Sequence, residues 1–383
     1  MRVAMTKGSL LIPPTYFAVA HPVALAGPFD FRFFVGAASI TDEGAREAID
    51  VDDTVSRLLP FTDGWPVRRR EQLGALLTAA TARAVQAWRP DIIHQHFAYG
   101  SRAAVRASRT CGAPSLVTVH GGDAFVPLSP PSSRRPLGRP ALARMKRDVA
   151  AMYAQARAVL AVSSYIADIA ARGGADVAKL IVHYQGVDTE LFRPRSAERA
   201  ETPRVLFVGR LSEVKGVHDL VEASIAAVRS RPHELVFVGD GPERSALDRA
   251  AEHHPHIRIT GSLTSDRVRE ELTAAHVLVL PTRVNGIARE AAGLVLLEAQ
   301  ACEVPVIAYD SGGTSEMLRD GETGWLVPEA DTAALAARLL EALSLSAEER
   351  DDLGRRGRGF VVAERSLARS AEELAEIYRE LPT

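Results

Sequence analysis

VLVLPTRVNGIAREAAGLVLLEAQACEVPVIAYDSGGTSEMLRDGETGWLVP, residues Val277 to Pro328, is the stretch on which the fold turns. The apolar run Val277–Leu280 stops at Pro281 and has the length and composition of a buried strand. A polar loop follows, a helix is predicted to open near Ala292–Gly293, and Val304–Tyr309 reads as a second buried strand. Strand, helix and strand in this order form a βαβ unit. Its first loop falls at a strand's carboxyl end, where open α/β sheets bind ligands.

Two carboxylates bracket the predicted helix start: Glu290 just before it and Glu298 inside it, with Gly293 between them. A side chain at Gly293 would obstruct a ligand approaching the backbone. The N–H groups of Gly293, Leu294 and Val295 form an anion site that the helix dipole reinforces. From Gly293 to Glu298 is about 7–8 Å at about 1.5 Å per residue. Phosphates at the helix start would leave Glu298 to accept hydrogen bonds from hydroxyls, which suits a ribose. A nucleoside diphosphate carrying a sugar meets all of these requirements. Two glutamates at this spacing on an isolated helix would simply be solvated; the preceding strand and Gly293 argue otherwise here.

Upstream, Arg204–Val208 reads as a strand delivering Gly209-Arg210-Leu211-Ser212-Glu213-Val214-Lys215-Gly216. Arg210 and Lys215, beyond a glycine at a strand's end, suit opposite oxygens of a diphosphate. Leu235–Val238 leads into the turn Gly239-Asp240-Gly241-Pro242, too short for a dinucleotide fingerprint. His253, His254 and His256 read as a surface loop before the strand Ile257–Ile259, which precedes Gly261-Ser262-Leu263. Downstream, Asp331–Leu343, Ser346–Arg355 and Ser366–Leu381 read as helices.

The first half repeats the alternation. Met1–Thr6 is predicted as a strand, with Gly8 at the first β-to-α turn, where backbone could approach a ligand closely. Phe31–Val35 and Val51–Leu59 read as strands, Gln72–Trp88 as a helix ended by Arg89-Pro90, and Asp91–His94 as a strand. His94 and His96 alternate to one side of that strand's end and read as polar residues lining a cleft rather than metal ligands. Ser115–Val119 delivers His120-Gly121-Gly122-Asp123, a placed side chain on a permissive backbone, with Asp123 fixing the loop. Arg134–Arg147 holds six cations and no acid, with a helix predicted from near Pro140. It reads first as a solvated face, and otherwise as contact with an anionic acceptor or an anionic membrane surface. Ala158–Val162 is a strand, Ser163-Ser164 caps the helix Tyr165–Arg172, and Arg193–Pro203 has the composition of a linker.

A chain of 383 residues suits two domains. A net charge of −2 speaks against nucleic acid as a partner. Cys111 and Cys302 read as reduced packing residues. With no long apolar run, the expected location is cytoplasmic, with the inner face of the membrane as the alternative.

The stretch E-A-A-G-L-V-L-L-E, continued by S-G-G-T-S-E, resembles the E-x7-E motif of the retaining GT-B glycosyltransferases of family GT4. Ala291 departs from it, since glycine usually follows the first glutamate. G-R-L-S-E-V-K-G is similar to the family's G-R-x-x-x-x-K-G, H-G-G-D to its H-G-x-D, and Q-G-V-D to its N-G-V-D, with Gln185 where asparagine is usual. The lead N-G-I-A-R-E resembles bacterial exopolysaccharide-type members. The resemblance covers most of the second half and isolated motifs of the first.

The resemblance implies two doubly wound, Rossmann-like parallel-sheet domains facing a central cleft: an acceptor-side domain over 1–190, a nucleotide-sugar domain over 191–365, and a terminal helix, 366–383, packing back on the first. It further implies hexosyl transfer from a nucleotide-sugar donor to an unidentified acceptor. His120 and Glu290 would act on the donor sugar, Arg210, Lys215 and the amides of Gly293, Leu294 and Val295 on the diphosphate, Glu298 on the ribose, and Leu263 beside the base. The Gly8 loop, glycine-richer in the family, would face donor and acceptor together with Gly209. No metal or other cofactor is expected. Asp50-Val51-Asp52 matches a metal-binding D-x-D of another glycosyltransferase fold, but follows a helix-like segment and is assigned no metal. A nucleotide-sugar epimerase on the same fold and a non-catalytic nucleotide-sugar-binding protein are the alternatives.

Overall fold

The computed structural model describes residues 1–12, 17–40, 55–57, 77–130, 138–194, 202–284, 286 and 288–381. The chain divides into two compact units, Met1–Gln185 with Ser370–Thr383, and Gly186–Arg369.

Among the described residues, the first unit holds a sheet of seven strands: β1 (Arg2–Ile12), β2 (Asp30–Ile40), β3 (Val55–Arg57), β4 (Ile92–His96), β5 (Ser115–Val119), β6 (Ala158–Ala161) and β7 (Leu180–Val182). Their order is β3-β2-β1-β4-β5-β6-β7, and every pairing is parallel. The second unit holds β8 (Arg204–Val208), β9 (Glu234–Val238), β10 (Ile257–Gly261), β11 (Val277–Leu280), β12 (Val306–Tyr309) and β13 (Gly324–Val327), in the order β10-β9-β8-β11-β12-β13, again parallel. Parallel sheets are covered on both faces, so their strands are continuous apolar runs. Val277–Leu280 and Val306–Tyr309 are buried at every position. In each sheet the strand order reverses once, between β1 and β4 and between β8 and β11. Ligands bind beyond the carboxyl ends of strands at such a reversal.

Several boundaries differ from the sequence reading. β1 does not end at Thr6: it runs on to Ile12 because Ser9 to Ile12 pair with Ala37 to Ile40 of an equally long β2. Gly8 therefore sits inside a strand, exposed, and not at a β-to-α turn. The strand expected over Val51–Leu59 is described only at Val55–Arg57, and the helix expected from Gln72 spans Thr78–Trp88. Asp50, Val51 and Asp52, Arg134 and Arg135, and most of the Arg193–Pro203 segment lie outside the described residues. His253 closes a helix, Arg244–His253, and His256 bonds Ser224, so the histidine run is not a simple loop.

The helix expected to end at Arg355 continues to Glu364. Two of its three glycines pack rather than break it: Cβ atoms at Gly354 and Gly357 would lie 2.3 Å from the Glu303 carbonyl and 3.2 Å from the Gln300 side chain. The last helix, Leu367–Glu380, contributes Ala371, Leu374, Ala375 and Tyr378 to the apolar cluster of β1 and β2.

In the second unit, Arg204, Glu234, Arg258 and Glu271 close a ring of ion pairs across β8, β9, β10 and the helix Ser265–Ala274. Burial works against the Glu234 carboxylate, but the two arginines outweigh it and hold its pKa below the ordinary value.

Candidate active site

The two loops at the reversal point of the second sheet are stitched together. β8 ends in Gly209 and Arg210, and a short 3-10 turn, Glu213–Lys215, brings Val214 to accept the amide of Arg283 at 2.7 Å. Arg283 lies in the loop after β11. Lys215 pairs with the carboxylate of Glu290 across this junction, and Thr282 Oγ1 donates to the same carboxylate at 2.9 Å. Burial would push the Glu290 pKa up. Lys215, Thr282 and the Ala291 amide together prevail and hold it below the usual glutamate value. Arg210 is exposed and has no hydrogen-bond or ion-pair partner among the described residues.

Gly293 caps the helix Leu294–Ala301 with φ 88°, in the left-handed region. A Cβ there would approach Leu280 Cδ2 at 3.0 Å and Glu290 Cγ at 3.6 Å. The backbone conformation and the packing on β11 therefore call for glycine before any ligand arrives. Glu298 lies in this helix, half-buried, with no partner for its carboxylate among the described residues, and burial raises its pKa to about 7.

The loop after β12 supports Glu290 from behind. The Gly313 amide donates to the Glu290 carbonyl at 2.9 Å. Gly312, with φ 67°, has no room for a side chain, since a Cβ would lie 2.3 Å from the Glu290 carbonyl oxygen. The S-G-G segment is thus a backbone brace for the first glutamate. Neither Thr282 nor Gly312 stands out as a site residue in the sequence. The signal for Gly312 was its place in S-G-G; the signal for Thr282 was only its place after a buried strand.

The structure brings Lys215, Glu290 and Gly293 together, joined by Thr282 and Gly312. Leu263 is placed differently: with Arg258, Thr260 and Arg267 it lines a cavity of about 440 Å³ that none of the other expected site residues lines.

His120 follows β5 in the first unit. Asp123 does fix its loop: Oδ1 accepts the His120 amide at 2.9 Å and Oδ2 the Ala98 amide at 2.8 Å. Burial raises the Asp123 pKa, against four backbone N–H bonds that lower it. Both ring nitrogens of His120 meet neighbours, Nδ1 the amide nitrogen of Gln185 at 3.1 Å and Nε2 the Nδ1 of His96 at 2.9 Å. His94 and His96 do not line a cleft. They are 1% and 5% exposed and stacked at 4.7 Å, and His94 is held by Tyr378 Oη at 2.6 Å and Thr118 Oγ1 at 2.7 Å.

The second unit's residues 202–344 match the family described as glycosyl transferases group 1, and residues 38–191 match glycosyltransferase family 4. The alpha-maltose-1-phosphate synthase of Mycolicibacterium smegmatis is 32% identical over 318 residues, covering 76% of this chain and 79% of that protein. The chain belongs to glycosyltransferase family 4. This glycosyltransferase is also 31% identical to the alpha-D-kanosaminyltransferase of Streptomyces kanamyceticus, over 52% of each chain. It is 33% identical to a GDP-mannose-dependent phosphatidylinositol monomannoside mannosyltransferase of Mycobacterium tuberculosis, over 57% of this chain and 60% of that one. Among solved structures it resembles HepE from Anabaena, determined with UDP, at TM-score 0.76 and 17% identity over 100% of both chains. Sucrose-phosphate synthase from Thermosynechococcus elongatus gives TM-score 0.75 and 22% identity over 100% and 99%. The fold of this glycosyltransferase is GT-B: two Rossmann-like parallel-sheet units.

Proposed function

We propose that this chain transfers a hexosyl group from a UDP- or GDP-sugar to a hydroxyl acceptor with retention of anomeric configuration. The observation that carries the reading is Glu290, a carboxylate held between Lys215 and Thr282 at the reversal point of the second sheet. Such a carboxylate accepts hydrogen bonds from sugar hydroxyls. The neighbouring cations then meet the charge that develops on the leaving diphosphate, which is where catalysis is needed.

In the proposed reaction the bond from the anomeric carbon to the β-phosphate oxygen breaks. The acceptor oxygen bonds that carbon from the same face, and its proton passes to the departing diphosphate. Arg210, Lys215 and the amides of Gly293, Leu294 and Val295 neutralise the diphosphate. Glu298 binds the ribose hydroxyls, Gly209 leaves backbone room beside the phosphates, and Leu263 adjoins the base. The imidazole of His120 contacts the transferred sugar. With these positive groups at the phosphates, transfer proceeds without a divalent ion. HepE with UDP and the GDP-mannose-dependent mannosyltransferase support the two nucleotides named.

The reading places the chain in the cytoplasm, where nucleotide sugars are made. Arg139 and Arg147, exposed on the helix Gly138–Gln155, are its candidate contacts to an anionic acceptor or membrane surface. Among the described residues no helix is long and apolar enough to cross a membrane.

A screen of UDP- and GDP-sugars, with and without sugar-alcohol, glycan and lipid-linked acceptors, tests the proposal. The expected result is transfer or slow donor hydrolysis that persists in excess EDTA, with an α-linked product from an α-donor by NMR. Inverted product, or activity abolished by EDTA and restored by Mn²⁺, would overturn the corresponding part.

A further inference from the structure

His120 sits within a row of rings. His94 stacks on His96 at 4.7 Å, His96 meets His120 edge to edge with their ring centroids 5.2 Å apart, and Phe97 packs against His120 at 4.6 Å. Phe97 adopts φ 66°, an unusual conformation for a non-glycine residue, held by its amide donating to Thr118 and its carbonyl accepting from Gln95. The cradle is therefore built, at some cost in backbone strain, around one imidazole.

The hydrogen bonds in this cradle determine where the protons lie. The Gln185 amide nitrogen can only donate, so His120 Nδ1 is an acceptor and the proton of the neutral ring is on Nε2. That N–H points at His96 Nδ1, 2.9 Å away, which must accept. We propose that His96 is a positioning residue for the transfer reaction: by accepting the Nε2 proton of His120 it fixes the neutral tautomer whose Nδ1 receives a hydroxyl of the donor sugar, a place the Gln185 amide holds in the unliganded molecule. Gln185 is the partner that gives way, because its contact, at 3.1 Å, is the longer of the two and the residue is only half-buried. Neutrality is independently favoured: burial, then the nearby Lys7 ammonium and the other histidines, hold the His120 pKa well below its ordinary value. The inference rests on the reading that His120 touches the sugar.

The test uses the full chain with the UDP- or GDP-sugar identified by the screen, and ¹⁵N histidine spectra of the unliganded protein. Wild type should show His120 protonated at Nε2. His96→Leu should lose that single tautomer and lower kcat about tenfold, with affinity for free UDP or GDP unchanged. His96→Asn, whose amide oxygen can stand where Nδ1 stood, should restore both the tautomer and most of the rate. A wild-type ring protonated at Nδ1, or a folded His96→Leu with undiminished kcat, would overturn the proposal; the wild-type spectrum decides it even if His96→Leu does not fold. Should His120→Ala leave transfer intact while the wild-type tautomer is as stated, the failure lies in the role given to His120 at the sugar.

Discussion

Lys215 and Glu290 share one ion pair, so neither can be changed without altering the other. Arg210→Ala removes an exposed cation and should cost about 1.5–3 kcal/mol of transition-state stabilisation, the worth of one charged hydrogen bond. Lys215→Ala should cost more, because it also strips Glu290 of its counter-charge. The Glu290 pKa, held down by Lys215, would then rise, and the acid limb of kcat/KM should move to higher pH in Lys215→Ala but not in Arg210→Ala. Identical pH profiles for the two variants would contradict this. Glu298 gives a different signature. Its pKa near 7 reflects burial without a partner, and ribose hydroxyls donating to it would favour the ionised form. Binding of free UDP or GDP at pH 6 should therefore release protons from Glu298, and this share should vanish in Glu298→Gln. Calorimetry in buffers of different ionisation heat reads it directly.

At the scale of elements, three loops converge on Glu290: after β8 through Lys215, after β11 through Thr282, and after β12 through Gly312 and Gly313. Gly312→Ala should destabilise the second unit by about 1–3 kcal/mol, from its left-handed φ and the clash with the Glu290 carbonyl. It should also lower kcat more than it raises the KM for donor, because the carboxylate moves while the diphosphate cations stay. A variant with wild-type melting and turnover would show that the brace is dispensable. The strands of this region were legible because β11 and β12 are apolar throughout, although β12 begins at Val306 and not at Val304. The extra length of β1 was not: Lys7-Gly8-Ser9 reads as a break, and only pairing with Val35 to Ile40 keeps the strand going.

For the molecule as a whole, the histidines are a liability in acid. In the first unit His21, His94, His96 and His183 are buried and His120 is half-buried, and desolvation is the first cause of every depressed pKa, His21 falling to about 3. The folded state keeps these rings neutral while the unfolded chain protonates them near pH 6.5. Their contribution is thus intact above about pH 6.5 and is lost as pH falls below it. Each ring removes about 1.4 kcal/mol per pH unit. Urea midpoints measured from pH 7.5 to 5.5 should fall steeply on the acid side; a flat profile would mean that these rings are not buried neutral. Tyr378→Phe probes the same unit, since it deprives buried His94 of a partner and should cost about 1–3 kcal/mol in thermal or urea unfolding.

The sequence by itself determined the class of fold, because strands buried on both faces must be apolar runs and the helices between them must be amphipathic. It also determined which loop carries the carboxylates, since both lie within one short stretch whose local order is strand, loop and helix. Tertiary structure alone decided which groups meet. Lys215 and Glu290 lie 75 residues apart and pair because β8 and β11 are neighbours at the reversal of the sheet. Gln185, His96 and His120 come together through β4, β5 and the segment after β7. No period or spacing in the chain encodes such meetings: they follow from strand order, which is set by how the whole set of apolar faces packs.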